Sequence, residues 1–170
     1  ISRFEKKGLK IVALKMVKPS LDHFDSHYPK DESWISRLGK KGFAVFDEYG
    51  IDPLETMGTK DELEAGKMVR QWLINYMMEA PVVAIVIQGY HAIDLVRKMV
   101  GATAPSKAEV GTIRGDYSVD SPVAANLNKR AMKNLIHASE NLEEAEKEIY
   151  HWFSQEEVFD YDRTDHAAMF

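Results

Sequence analysis

The chain has 170 residues, 45% of them hydrophobic and 29% charged, which is typical of one globular domain, and its net charge of −5 argues against a general nucleic-acid-binding surface. It contains no cysteine, which excludes disulfides, thiolate nucleophiles and cysteine–zinc sites and favours a reducing compartment. Its longest apolar run, "APVVAIVI", is too short to span a bilayer, and no secretory signal opens it, so we expect a soluble, cytoplasmic protein with neither a membrane nor a specific nucleic acid as partner.

The first half of the chain predicts helices around one strand. "ISRFEKKG" is typical of the end of an amphipathic helix that stops at Gly8. "LKIVALKMVK" alternates as a strand does, Pro19 should end it, and "SLDHFDSHY" suits a short helix with Ser20 as N-cap. Residues 29–61 contain four glycines and two prolines, which favour short helical pieces and loops. "ELEAGKMVRQWLINYMM" again predicts a helix.

The second half predicts one strand and two longer helices. "PVVAIVIQG" is apolar on both faces and β-branched, which is typical of the middle of a covered sheet. "HAIDLVRKMVG" predicts an amphipathic helix that ends at Gly101, and residues 102–133 are rich in loop signals. The last helix should begin after Asn141, with Glu144 three residues later as in a capping box, and the tail should pack along the surface. Its expected buried stripe is Leu142, Ala145, Ile149, Trp152 and Phe153.

This order of elements, without an internal repeat, suggests a single α+β or α/β domain with helices packed on a small sheet. The residues alone do not decide between the two classes.

"NLIHASE" places one histidine, His137, after an apolar pair and before two small residues, Ala138 and Ser139. A lone histidine is often a surface or turn residue, but this setting leaves space around the ring. A neutral imidazole is a competent nucleophile near neutral pH when a carboxylate fixes its tautomer. Glu148 is the candidate carboxylate, because it borders the apolar stripe of the last helix; the alternative is a solvated helix flank.

Two arginines could form a phosphate clamp. Arg97 lies at the edge of the apolar arc of its helix, and Arg114 stands beside a glycine in "GTIRGDY". With Thr103 and Asn134 they could bind phosphate oxygens, since guanidinium presents a planar fork of donors. The alternative for each arginine is a surface ion pair.

Three other kinds of site have less support. His23 and His27 are four residues apart on a helix, but no third metal ligand is suggested, so we expect no metal site in the protein itself. A Ser-His-Asp hydrolase would need a nucleophile elbow, and stacking of nucleic-acid bases would need an interleaved basic and aromatic stripe. Neither pattern is in the sequence, and no Gly-rich P-loop is present.

"ISRFEKKGLKIVALKM", "APVVAIV", "VRKMVGAT", "GTIRGDY" and "NLIHASENLEEAEKEI" occur in that order and together closely resemble the nucleoside diphosphate kinases. The resemblance implies ping-pong transfer of a γ-phosphate from a nucleoside triphosphate to a nucleoside diphosphate. It also implies a ferredoxin-like antiparallel sheet with helices, and assembly as a hexamer, tetramer or dimer.

The same resemblance assigns roles to particular residues. His137 matches the nucleophile that becomes a phosphohistidine at its pros nitrogen, Glu148 the carboxylate that orients it, Ser139 the adjacent hydroxyl, and Tyr28 a nearby tyrosine. The positions that match nucleotide-binding residues are Arg97, Thr103 and Arg114 for phosphates, Asn134 for the sugar hydroxyl, and Leu73 and Val69 for the base. Mg²⁺ would be held mainly by the nucleotide phosphates.

The sequence departs from the family pattern in three places. The family's first strand and its Lys-Pro-Asp-Gly motif are missing, so residues 1–170 are expected to be an N-terminally truncated domain. Val69 replaces an aromatic residue at the base site, and insertions fall within about residues 30–67 and 118–132. We expect the second insertion to be a solvated loop rather than a lid or an oligomer contact. The missing lysine keeps one rival open, a catalytically impaired relative that acts as a binding or scaffold protein.

Overall fold

The computed structural model describes residues 1–18 and 20–164, except for the side chain of Ser26. Pro19, expected to end the first strand, and the last six residues of the tail lie outside the described residues. The elements in chain order are α1 (Ser2–Lys6), β1 (Lys10–Val17), α2 (Leu21–His27), α3 (Glu32–Glu48), α4 (Pro53–Met57), α5 (Glu62–Met78), β2 (Val82–Gln88), α6 (Ala92–Val100), α7 (Ile113–Tyr117), α8 (Pro122–Leu127) and α9 (Leu142–Trp152).

The two strands pair antiparallel, with Ala13 opposite Val86 and Met16 opposite Val83. Within the described residues β2 has β1 as its one partner strand, and Leu14, Met16 and Val83 on one face are about half exposed or more. The expectation that β2 lies in the middle of a covered sheet is therefore wrong for the described part of the chain. Apolarity on both faces indicated burial, but only one face packs against a helix.

The covered face of the sheet packs against α9. Val12, Ala13, Val86 and Phe153 form a buried cluster, and Ile149 and Trp152 pack against it. A register irregularity between Ile11 and Ala13 accounts for the burial of two consecutive strand residues. The tail follows the sheet, since the amide of Phe159 donates to the carbonyl of Val12. Leu142, expected in the buried stripe, is the first residue of α9 and is 64% exposed.

Helices α3 and α5 form a close-packed pair. α3 runs for 17 residues, so the prediction of short pieces and loops over residues 29–61 is wrong for most of that stretch. Gly39 and Gly66 do not break their helices but let the two backbones touch. A Cβ at Gly39 would lie 1.9 Å from the carbonyl oxygen of Glu62, and one at Gly66 would lie 1.9 Å from that of Ile35.

The expectation of a solvated loop over residues 118–132 is also wrong in part. Ser121 caps α8, which places Ala125 and Asn126 in buried positions against α3. Arg130 reaches back to both carboxylate oxygens of Asp120 and closes the segment as a loop. These short-range hydrogen bonds explain why residues 118–132 are ordered although many of them are polar or typical of loops. Among the described residues, no helix combines the length and apolarity needed to cross a bilayer.

Candidate active site

His137 lies in an irregular segment between α8 and α9, with its side chain 51% exposed. Its Nε2 is 2.7 Å from Glu148 Oε1, and the Ser139 hydroxyl donates to Glu148 Oε2 at 2.5 Å. Within the described residues, the other ring nitrogen, Nδ1, has no hydrogen-bonding partner. The Nε2 proton therefore points to the carboxylate, and the lone pair lies on Nδ1 of a ring that is half exposed.

Glu148 is held in place by helix α9. The side chain of Asn141 accepts from the amide of Glu144 and caps the helix, as the sequence predicts. The carboxylate of Glu144 accepts from the amide of Glu140 rather than from Asn141, so the reciprocal capping box does not form. The helix thus begins at a defined residue, which sets the angle at which Glu148 faces His137.

The charges of the pair stabilise each other. The hydrogen bond to Glu148 raises the pKa of His137 against the opposing effect of burial. Burial opposes ionisation of Glu148, but the hydrogen bonds from His137 and Ser139 outweigh it, and the pKa of this carboxyl is lowered. The pair therefore favours a protonated imidazole that is hydrogen-bonded to an ionised carboxylate.

A third side chain, His27 at the end of α2, completes this group. Its ring centroid lies 5.7 Å from that of His137, its Nε2 is 3.8 Å from Glu148 Oε1, and its side chain is only 8% exposed. Burial lowers its pKa to about 4, so the ring is neutral near neutral pH. The sequence suggested no further ligand beside the His23–His27 pair, and the structure places His137 and Glu148 near His27.

Helix α2 is fixed on both sides. Phe24 is fully buried with its ring centroid 5.6 Å from that of Trp152, and Arg70 of α5 donates to the carboxylate and carbonyl of Asp25 and to the carbonyl of Pro29. Tyr28, expected beside the nucleophile, is half-buried next to Trp34. Burial, with help from the Glu148 charge, raises the pKa of Tyr28 to about 12. The ring that this helix places next to His137 is that of His27.

Arg114 holds the segment that carries His137. Its guanidinium donates to the carbonyl oxygens of Gly101 at 3.0 Å and Asn134 at 3.3 Å, and also to that of Ile136. The residue is 7% exposed, and burial lowers its pKa, with the charge of Arg97 as a smaller cause. At least part of the donor fork predicted to bind phosphate is therefore used on the backbone.

The backbone before His137 makes a tight turn. The amide of Ile136 donates to the carbonyl of Asn134 at 2.8 Å, and Leu135 between them has a φ of 67°. An i to i+2 hydrogen bond with this φ is the uncommon form of the γ-turn, which a branched residue rarely adopts. The turn brings His137 to the surface while Arg114 holds the carbonyls on either side of Leu135.

The other predicted site residues differ in their exposure and in the residues that they contact. Arg97 is exposed, and Thr103 is exposed with its carbonyl 3.5 Å from the amide nitrogen of the Asn134 side chain. Leu73 is half-buried on α5, and Val69 packs against the buried cluster of Phe46, Met57 and Ala65. The contacts thus bring together His137, Glu148, Ser139, Asn134 and Arg114, whereas Val69 is half-buried against the cluster between α3 and α5.

Sequence reasoning missed two features of this site, the proximity of His27 and the γ-turn at Leu135. The spacing of His23 and His27 was a signal, since residues four apart lie on one face of the predicted helix. A leucine gives no sign of a left-handed backbone, so the turn had none.

Comparison with known proteins places the chain among phosphotransferases. A family model described as nucleoside diphosphate kinase matches residues 32–158. The nucleoside diphosphate kinase of Pyrobaculum aerophilum is 49% identical over 160 residues, which cover 94% of this chain and 87% of that protein. More than half of the chain is therefore accounted for by one family.

Solved structures lead to the same family. The crystal structure of an NDP kinase from Pyrobaculum aerophilum has a TM-score of 0.89 at 48% identity and covers 94% of this chain and 87% of its own. A nucleoside diphosphate kinase from Borrelia burgdorferi, solved as a transition-state mimic with vanadate and ADP, has a TM-score of 0.74 at 32% identity, covering 98% and 83%. The likeness confirms the expected α+β, ferredoxin-like fold.

Proposed function

Since the chain belongs to the nucleoside diphosphate kinase family, and so is a phosphotransferase that acts on nucleoside triphosphates and diphosphates, we propose that His137 is the residue that carries the phosphoryl group between them. Glu148 and Ser139 act with it as the groups that orient its ring. The proposal depends on one observation above all, the hydrogen bond from Nε2 to Glu148 on a ring that is half exposed.

In the first half-reaction, the Nδ1 lone pair attacks the γ-phosphorus of the triphosphate. The Nδ1–P bond forms as the bond to the bridging oxygen breaks, and the nucleoside diphosphate leaves with that electron pair. The ring gains positive charge as the bond forms, and the Glu148 carboxylate on Nε2 stabilises it. A second diphosphate then attacks the phosphorus and regenerates the neutral ring, which makes the reaction ping-pong.

The nucleotide is proposed to lie along the loop side of His137. Arg97 and Thr103 are exposed and available to phosphate oxygens, and Arg114 still has N–H groups beyond the three bonds that it makes to carbonyls. Asn134 is proposed to bind the sugar hydroxyl, and Leu73 with Val69 to cover one face of the base. Val69 would have to do so from the edge of the core cluster that it packs against.

Magnesium is proposed to enter with the nucleotide. The side chains proposed to meet the phosphates, Arg97, Arg114 and Thr103, offer donors and one hydroxyl, while the carboxylate of Glu148 is occupied by His137 and Ser139. Mg²⁺ prefers oxygen ligands and retains several waters, so this set fits an ion bound mainly through phosphate oxygens. When bound, Mg²⁺ neutralises charge that builds up on those oxygens.

Two further expectations complete the proposal. We propose a homo-oligomer, for which the exposed sheet face with Leu14, Met16 and Val83 is one apolar surface that assembly would cover. We propose a cytoplasmic location, which the cysteine-free sequence favours.

Incubation with γ-³²P-labelled ATP and Mg²⁺, with no nucleoside diphosphate acceptor added before the quench, tests whether His137 is the nucleophile. The wild-type chain should retain a label that acid removes and alkali does not, as expected for a phosphoimidazole. His137→Ala should retain none, while His91→Asn, a change at an exposed histidine outside the site, should label fully. A folded wild-type chain without label would contradict the proposal and favour a binding or scaffold role.

A further inference from the structure

Three side chains that come from distant parts of the sequence meet at the proposed nucleophile. The ligand atoms of His27, His137 and Glu148 all lie within 4.8 Å of one another. His27 comes from α2 and Glu148 from α9, and both side chains are largely buried, whereas His137 is half exposed. The proposed reaction uses the His137–Glu148 pair and leaves His27 without a role.

The spacing of this group resembles that of a metal site. A tetrahedral Zn²⁺ with bonds of about 2.0–2.1 Å separates its ligand atoms by about 3.3–3.5 Å. Here Nε2 of His137 is 2.7 Å from Glu148 Oε1, and Nε2 of His27 is 3.8 Å from the same oxygen. Changes of less than about 1 Å would bring both distances to that value, and a water could complete the ligand set from solvent, since His137 is half exposed.

We propose that His27, His137 and Glu148 form a binding site for a divalent transition-metal ion of the Zn²⁺ type, and that occupation of this site blocks phosphorylation of His137. Two imidazole nitrogens and one carboxylate oxygen are the ligand types that Zn²⁺ takes in His₂Glu sites. Mg²⁺ prefers six oxygen ligands, so the set discriminates against the ion that travels with the nucleotide.

Bound Zn²⁺ would block phosphorylation because it changes which nitrogen of the His137 imidazole carries the proton. A neutral ring has one N–H, which in the metal-free protein lies on Nε2 and faces Glu148. Zn²⁺ needs the Nε2 lone pair, so on binding that proton moves to Nδ1, and no proton is lost from the ring. Nδ1 then has no lone pair for phosphorus. This consequence rests on the proposed function, whereas the metal site itself does not.

Binding is tested first, without nucleotide. Isothermal titration of the wild-type chain with Zn²⁺ should show one ion per chain, and Co²⁺ should give the strong visible absorption of a tetrahedral complex. Loss of outer partners alone changes metal affinity by about 10–100-fold, so His27→Asn should weaken Zn²⁺ binding by about 100-fold or more. His91→Asn, at an exposed helix cap with a φ of 53° that asparagine tolerates, should bind as the wild type does.

Phosphorylation is tested second, with buffered free Zn²⁺ and excess Mg²⁺. Zn²⁺ should abolish labelling of the wild type and of His91→Asn. The Zn²⁺ concentration that abolishes labelling of His27→Asn should be about 100-fold higher. His27→Gln, checked by circular dichroism, serves if the asparagine variant does not fold. Equal Zn²⁺ affinity in the wild type and both His27 variants would overturn the site. Zn²⁺ bound at the site with labelling unchanged would overturn the block, and no labelling even in metal-free wild type would instead contradict the proposed function.

Discussion

The α3–α5 helix pair and the segment around His137 are ordered by opposite means. In the helix pair, order comes from close contact, with the backbones touching at Gly39 and Gly66. In the segment 134–139 there is no regular secondary structure, and order comes from polar side chains on other elements, chiefly Arg114 and Glu148. An added side-chain atom should therefore destabilise the helix pair, whereas the loss of a hydrogen bond should destabilise the segment around His137.

The difference explains where chemistry can be placed. At Gly39 and Gly66 the helix pair leaves no room for a Cβ, so these two glycines serve close packing. The His137 segment keeps its ring half exposed, while Glu148 and Arg114, which hold the segment, are largely buried. A site that must accept and release a phosphoryl group needs this combination of fixed backbone and open ring.

The largest effect is expected in the helix pair. Gly66→Ala would put a Cβ 1.9 Å from the carbonyl oxygen of Ile35, so the helices must separate, at a cost of about 3 kcal/mol. Urea denaturation should show this loss. Gly42→Ala is the matched control, because its Cβ would lie 3.8 Å from the side-chain nitrogen of Asn126, an ordinary contact distance, and helix propensity should stabilise the variant by up to about 1 kcal/mol. Equal losses in both variants would contradict close backbone contact as the cause.

The next largest effect tests whether Arg114 is part of the frame. Arg114→Lys keeps the charge but cannot reach the carbonyls of Gly101, Asn134 and Ile136 together, and buried acceptors left unpaired cost about 2–3 kcal/mol in all. Unfolding free energy should fall by that amount, and the labelling rate should fall with it. A loss of labelling with stability unchanged would mean that Arg114 acts on phosphate alone.

A smaller effect is expected from the orienting carboxylate. Glu148→Ala frees the ring of His137 and should slow phosphorylation by about 10–100-fold, or about 1.4–2.8 kcal/mol. The affinity for ADP should change little, since Glu148 touches the ring and not the ligand. Glu148→Gln retains an acceptor without the charge and should restore part of the rate. Weak ADP binding with normal phosphorylation would contradict this assignment.

The same pair predicts a pH dependence. Glu148 raises the pKa of His137, and only the neutral ring is a nucleophile, so phosphorylation should rise as pH passes through that raised value. In Glu148→Gln the rise should move to lower pH, toward the ordinary histidine pKa of about 6.5. The stability that the charged pair contributes is present below about pH 6.5 and is lost as pH rises through the raised folded value. Proton NMR of the ring of His137 measures the shift directly, and an unmoved titration would refute it.

The smallest effect is expected at the γ-turn. Leu135→Gly removes a side chain that is half exposed and relieves the left-handed backbone, but it also makes the unfolded chain more flexible. These terms oppose each other, so stability should change by less than about 1 kcal/mol. Leu135→Val should be less stable than the glycine variant, because a β-branched residue fits a positive φ poorly. Thermal melts of both variants measure the difference, and a valine variant as stable as wild type would argue against strain at this turn.

The sequence was informative wherever a short stretch decides its own structure. Ser20 and Asn141 were expected as N-caps and are, and the helix over "ELEAGKMVRQWLINYMM" spans those residues as predicted. The sequence was misleading where long-range packing overrides local preference. Gly39 and Gly42 indicated loops and lie inside α3, because α5 and α8 pack on that helix.

For the site, the sequence by itself determined which groups are present and which family the chain belongs to, because motifs such as "GTIRGDY" and "NLIHASE" are local and specific. It also indicated that Glu148 borders its helix stripe. Only the tertiary structure decided that His27 lies next to Glu148, that Arg114 donates hydrogen bonds to backbone carbonyls, and that Val69 packs against the helical core cluster. Those distances join residues far apart in the chain, and they are set by how helices pack against a two-stranded sheet, which no local pattern specifies.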